Sequence, residues 1–219
     1  LMPVGHTGYE PSTLRELYGL AWRAEVTQAF ALVEDDIMDR SEQRRGKPAW
    51  WKVVGEPIAL NDGLTLHVMG HQLLNYYARP DVHAALRAGY DDVAYRTCIG
   101  QYMDTSLERR APHTFELAEY RKMVELKTAW YSFYEPLMVA VLLARLPRAR
   151  EVKLLRRCER VAMLLGEYFQ RKDDFKDCYD ESQKKGMDII DGKCTWLVIA
   201  AYERASPVQR QVLDENYGR

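Results

Sequence analysis

Two aspartate clusters carry the first chemical signal in the sequence. Asp35, Asp36 and Asp39 form DDIMD, and Asp173, Asp174 and Asp177 form DDFKD. On a helix, residues i and i+4 share a face, so Asp35 with Asp39, and Asp173 with Asp177, each bring two carboxylates to one place. Like charges at that spacing are destabilising unless a cation lies between the oxygens. Hard oxygen donors suit Mg²⁺, which keeps waters and substrate phosphates in its shell. A lone cluster is well explained as a solvated helix end. Two clusters, each closing an apolar helix and each near basic residues, point instead to two metal-binding walls.

The basic residues are Arg44 and Arg45 after the first cluster, Lys127 in KTAWYSFY, and Lys184 and Lys193 after the second. Arginine forks and lysine point charges are the expected phosphate ligands. Taken singly, each reads as a solvated surface cation; their value lies in the set. His67 and His71 also stand at i and i+4, but the sequence supplies no third ligand nearby, and they are left out of the site. The aromatic residues Tyr131, Phe133, Tyr134, Phe169 and Trp196 fall at helical spacing and read as core.

Helices must position these groups. Leu17, Leu20, Ala21, Ala24, Ala29, Leu32 and Val33 recur at helical spacing, and Thr13 with Glu16 fits a capping box, so a helix is expected from about Thr13 to Met38. Gly46, Pro48, Gly55 and Pro57 mark a loop from Arg40 to Pro57, with helix resuming near Asp62. Pro80-Asp81 suits the first turn of a short helix, and Ala111-Pro112 separates a helix ending near Arg110 from one starting near Thr114. Apolar positions at three and four spacing run from Phe115 to Leu146 and from Glu151 to Tyr179, with Pro147 between. A loop around Gly186 and Gly192 leads to a helix beginning near Lys193, and a short one follows Ser206-Pro207. The expected architecture is one all-α domain over residues 1–219, a bundle projecting side chains into a central cavity.

Composition is consistent with this. The 219 residues carry 31 Lys and Arg against 32 Asp and Glu, so no overall field draws the chain to nucleic acid. No apolar run reaches the ~18–20 residues a membrane span requires. Cys98, Cys158, Cys178 and Cys194 are scattered, which favours a reducing compartment and a cytoplasmic location. The chain opens on Leu1, so a targeting peptide is not readable from it.

In order, the blocks QAFALVEDDIMDRSEQRRG, KTAWYSFYEPL, GEYFQRKDDFKD and KGMDIIDGKCTWLV resemble those of the trans-isoprenyl diphosphate synthases, especially the animal, insect-like farnesyl diphosphate synthases. The resemblance implies the isoprenoid-synthase helical bundle, its central cavity flanked by the two aspartate motifs. It implies a homodimer that condenses isopentenyl diphosphate with an allylic prenyl diphosphate. Asp35, Asp39 and Asp173 would hold Mg²⁺, three ions with substrate bound, or Mn²⁺ in its place. Asp36, Asp174 and Asp177 complete the motifs, and Asp104 in GQYMD matches a further acidic position. Arg44, Lys127 and Lys184 would bind the allylic diphosphate, joined by Lys193, while Gln28 and Arg45 would contact isopentenyl diphosphate. Thr128 and Gln170 would face the developing carbocation.

Several positions depart from that pattern. Farnesyl-producing animal enzymes have two adjacent aromatics one turn before the first cluster, where this chain has Phe30 and Ala31. Opening that floor admits more apolar chain, each buried CH₂ contributing about 0.8 kcal/mol, so an altered product is expected. Lys172, Lys176, Met187 and Ile190 also differ from the family's residues. The family's N-terminal contacts to isopentenyl diphosphate and its last helices have no counterpart, so the chain reads as truncated at both ends. Two other readings remain beside a prenyltransferase: a terpene synthase derived from the family, which ionises a prenyl diphosphate without adding isopentenyl diphosphate, and an inactive regulatory homologue.

Overall fold

The computed structural model describes residues 11–179 and 186–219. Ten α-helices account for most of these residues, and the one sheet among them is a pair of two-residue strands. Helix α1 spans Pro11–Met38 and ends within the first aspartate cluster, one residue before Asp39. A hairpin pairs β1 (Gln43–Arg44) with β2 (Lys47–Pro48) across Arg45 and Gly46, both at positive φ. Helix α2 (Trp50–Val54) is separated from α3 (Glu56–Tyr77) only by Gly55. The helix expected near Asp62 therefore begins earlier, because Pro57 falls in the first turn of α3, where its missing N–H is not needed.

Pro80 likewise opens a helix, but α4 runs unbroken over Pro80–Leu107 and is long rather than short. A 3₁₀ turn at Pro112–Thr114 precedes α5 (Leu117–Val124). The chain then forms a π-helical segment over Glu125–Tyr134 before returning to α-helix in α6 (Glu135–Leu143). Helix α7 spans Arg148–Tyr179 and carries the second aspartate cluster in its last turns. After Gly186 come α8 (Met187–Asp191), α9 (Trp196–Arg204) and α10 (Pro207–Asn216). Thr195 caps α9, and Ser206 with Gln209 forms a full capping box on α10.

The capping box expected at Thr13 and Glu16 is not formed, since both lie inside α1. Glu16 instead turns inward and accepts from the backbone N–H of Arg79 at 2.9 Å and from its guanidinium at 2.8 Å. That pair ties the start of α1 to the start of α4.

Helix α1 packs along α3, while the π-segment lies between α4 and α7. Two glycines make the second arrangement possible. A Cβ on Gly100 of α4 would fall 2.1 Å from the backbone N of Lys127, and one on Gly166 of α7 would fall 2.4 Å from Cβ of Ala129. Only hydrogen at both positions lets the π-segment's backbone pass this close to its neighbours. One apolar core joins Leu20, Leu74, Leu86, Tyr90, Met138 and Leu142 at the lower end of the bundle; another joins Leu107, Tyr120, Met123, Cys194 and Val198 at the upper end. Large apolar side chains also stand exposed, among them Trp22, Tyr76, Leu164 and Tyr168 on α1, α3 and α7.

Candidate active site

The end of α1, the upper half of α4, the π-segment and the end of α7 converge on one charged region. Asp35 and Asp39 project from α1, and Asp104 from α4 lies behind them, 5% exposed. Gly100, one turn before Asp104, is where the π-segment presses against α4, so Lys127 is brought directly to this carboxylate. Lys127 Nζ donates to Asp104 Oδ2 at 2.5 Å and to Asp35 Oδ1 at 3.1 Å. Lys193, from the turn between α8 and α9, lies 3.0 Å from Asp39 and 3.1 Å from Asp104 and pairs closely with Glu108. Gln101 donates to Asp35 at 3.2 Å.

Charges this dense and this buried perturb one another. Burial opposes ionisation of Asp35, but Lys127, Lys193 and Arg44 outweigh it and hold its carboxyl below the usual range. Asp39 is pushed up to about 6 by burial and by Asp35 beside it. Burial also opposes the charge on Lys127, yet Asp104 and Asp35 raise its ammonium above the ordinary lysine value. The same balance, dominated on the acidic side by Asp104 and Asp39, raises Lys193.

Asp36 faces elsewhere. It is 3% exposed and accepts from Arg44 Nη2 at 2.7 Å and Nε at 3.1 Å, while Arg44 Nη2 also reaches Asp35 at 3.1 Å. The hairpin that carries Arg44 is thus folded back onto the aspartate cluster. Arg45, next along, is exposed at φ 53 at the hairpin tip.

On the opposite wall, Asp174 is committed to its own helix and to α5. Tyr120 Oη donates to its Oδ2 at 2.8 Å, and Gln170 Nε2 to its Oδ1 at 3.0 Å. Gln170 Oε1 in turn accepts from the Thr128 hydroxyl at 3.0 Å. Adjacent residues of the π-segment therefore address opposite walls, Lys127 the first aspartate cluster and Thr128 the second. Burial pushes Asp174 up to about 6 against the lowering effect of the Gln170 and Tyr120 bonds. Asp173 is raised by burial, against the lowering effect of Lys176 and Arg44. Asp177 accepts from the backbone N–H of Asp188 at 3.0 Å. Asp188 is itself pushed up to about 8 by burial, with Asp177 and Asp174 adding to it.

The donor set fits a hard divalent cation. The carboxylate oxygens of Asp39, Asp104 and Glu108 lie within 4.8 Å of one another, and Oδ1 of Asp39 is buried without a hydrogen-bond partner among the described residues. Lys193 is shared among that trio.

Of the remaining sequence candidates, Gln28 and Ala31 are half-buried on α1, and Phe30 packs against His67 with ring centroids 5.1 Å apart. His67 and His71 are stacked edge to face at 5.0 Å, and neither belongs to the three-ligand metal cluster found among the described residues. Lys184 lies outside the described residues. Sequence reasoning missed Gln101, Glu108 and Tyr120. Glu108 was detectable, since Asp104 and Glu108 repeat the i and i+4 acidic spacing; Tyr120 had no local signal.

A family model described as polyprenyl synthetase matches residues 4–219. Farnesyl pyrophosphate synthase of Ganoderma lucidum is 42% identical over 207 residues, which are 91% of this chain and 58% of that protein. The Gallus gallus farnesyl pyrophosphate synthase is 35% identical over 218 residues, covering 96% and 59%. Among solved structures, T. brucei farnesyl diphosphate synthase complexed with a bisphosphonate superposes with a TM-score of 0.81 at 32% identity, covering 94% of this chain and 76% of that one. The chain thus spans about three fifths of the length of the curated relatives it matches.

Proposed function

The chain belongs to the polyprenyl synthetase family, and from that premise we propose that it is a Mg²⁺-dependent prenyltransferase joining isopentenyl diphosphate to an allylic diphosphate. The observation that carries this reading is the packing of Lys127, Lys193 and Arg44 among Asp35, Asp36, Asp39 and Asp104, with a second aspartate cluster on α7. Six carboxylates in two helical clusters make poor structure without cations, and a diphosphate is the polyanion that such a cation-filled cleft accepts.

Asp35, Asp39 and Asp173 would hold the metal, which when bound supplies Lewis-acid neutralisation of charge on the leaving diphosphate. Lys127, Lys193 and Arg44 are held charged beside these carboxylates and would turn to the diphosphate oxygens as the metal takes the carboxylates. Ionisation breaks the allylic C–O bond, and the carbon–carbon double bond of isopentenyl diphosphate attacks the resulting cation. Loss of a proton to the departing diphosphate restores a double bond. The Thr128 hydroxyl, tethered through Gln170 to Asp174, offers its oxygen lone pairs to the cation and cannot swing away as a free rotor would. Farnesyl diphosphate or a related longer prenyl diphosphate is the proposed product, made by a homodimer in the cytoplasm.

The test is incubation of full-length protein with Mg²⁺ and geranyl or farnesyl diphosphate, with and without isopentenyl diphosphate. Elongation that requires isopentenyl diphosphate supports the reading. A hydrocarbon or alcohol formed without it would make the protein a terpene synthase. Absence of Mg²⁺-dependent diphosphate binding would mark an inactive homologue.

A further inference from the structure

Helix α10 buries none of its ten residues, yet it is pinned firmly to the molecule. Its start carries the Ser206 and Gln209 capping box, and Asp214 accepts from Tyr202 Oη at 3.1 Å and lies 3.2 Å from Nδ1 of His113. A helix without a buried face gains little from apolar burial. Its value lies in what it delivers. Just past its end, Tyr217 packs against the upper core, and its Oη donates to the carbonyl oxygen of Lys193 at 2.7 Å. The N–H of Gly218 donates to the carbonyl of Ile189 at 2.9 Å.

Those two bonds grip the turn between α8 and α9. Helix α8 has five residues and buries none of them, so it anchors the turn weakly from that side. Gly192 stands at φ 73, and a Cβ on it would lie 3.0 Å from Cα of Gly218 and 3.4 Å from the carbonyl oxygen of Glu108. The turn is thus wedged between the residue that follows α4 and the segment that follows α10. Lys193 itself donates its N–H to Asp188 at 2.9 Å and accepts from the N–H of Thr195 at 3.0 Å, so the Tyr217 hydroxyl completes the fixing of its backbone.

We propose that Tyr217 is a positioning residue for diphosphate binding, acting through the backbone of Lys193. The proposal rests on the prenyltransferase reading. Asp39, Asp104 and Glu108 hold the Lys193 ammonium from its charged end. Once a metal takes Asp39, that end slackens, and the backbone end decides where the ammonium stands. A fixed backbone lets the side chain find a diphosphate oxygen without searching, and the entropy of that search is removed before the ligand arrives.

The experiment measures the dissociation constant of inorganic diphosphate in saturating Mg²⁺ by titration calorimetry on full-length wild type, Tyr217→Phe, Lys193→Gln, the double variant and Tyr202→Phe. Tyr217→Phe is expected to weaken binding about threefold to tenfold, the range that one lost hydrogen bond supplies. In the Lys193→Gln background the same change should have no further effect, because the residue acts through that lysine. Tyr202→Phe loses a comparable bond between α9 and α10 that does not reach Lys193, and should keep the wild-type constant. Partial unfolding lowers the number of sites and leaves the constant of the folded remainder alone, so the readout separates positioning from stability. A wild-type constant for Tyr217→Phe overturns the inference. So does equal weakening with and without Lys193, or equal weakening by Tyr202→Phe. A wild type that binds diphosphate but does not condense geranyl and isopentenyl diphosphates overturns the prenyltransferase reading instead, while the comparison among the variants still decides the role of Tyr217.

Discussion

The ammonium of Lys193 lies 3.0 Å from Oδ2 of Asp39, bridging residues at the two ends of the chain with only 12% and 13% of their side chains exposed. With Asp104 and Glu108 on its other sides, Lys193 is shared by three carboxylates at the ends of α1 and α4.

Lys193→Met therefore leaves three buried acids facing one another. Removing one partner from a buried charged network costs about 3–5 kcal/mol, and a loss of that order is expected in urea unfolding without divalent cations. Mg²⁺ should recover part of it, stabilising the variant more than the wild type. Equal stabilisation of both by Mg²⁺ would contradict the neutralising role.

Gly100→Ala is expected to damage the site from a position that bears no chemistry. Its Cβ would meet backbone atoms of Leu126 and Lys127 at 2.5 Å or less, which cannot move without displacing the whole π-segment. Overpacking of this kind costs about 1–3 kcal/mol. Because the displaced backbone carries Lys127 and Thr128, turnover should fall further than stability does. The check is kcat measured well below the variant's melting temperature.

Ala31→Phe should shorten the product. The added ring sits one turn below Asp35 on the same face, where an apolar chain would otherwise run. Product analysis by chromatography decides it, and an unchanged chain length would show that this position does not bound the tail.

Cys194 gives a prediction about pH. The residue is 1% exposed, and burial, with Glu119 and Asp104 adding, pushes its thiol up to about 12. An unfolded cysteine ionises near ~8.5. Between these values the unfolded chain has released a proton that the folded one retains, so stability from this group, complete at lower pH, is lost as pH rises through the window. Cys194→Ala should flatten that part of the alkaline slope. A thiol reagent should label exposed Cys98 in the native protein and reach Cys194 only on unfolding.

The parts legible in the sequence were those that local spacing encodes. Helical periodicity located α1 and α7, and with them the two aspartate clusters at their ends, because each depends on residues within a turn of one another. The remainder depends on contacts across the fold. Glu16 reads as a capping residue until Arg79, 63 residues later, claims its carboxylate. Arg23 and Glu135 are 112 residues apart, and nothing in either neighbourhood marks them as partners. Gly100 and Gly166 look like ordinary helix-weakening glycines until the π-segment passes between them. Pro57 reads as a loop residue and Pro80 as the start of a short helix, yet both stand in the first turn of long helices, because a proline there starts a helix of any length.

Lys127 and Lys193 occupy the space between acids, and this has a thermodynamic consequence. A divalent cation arriving alone competes with the protein's own ammonium groups for the same oxygens, whereas a diphosphate arriving with it gives those displaced ammonium groups new partners. Metal and diphosphate should therefore bind with positive cooperativity, each raising the affinity of the other by the same factor, as linkage requires.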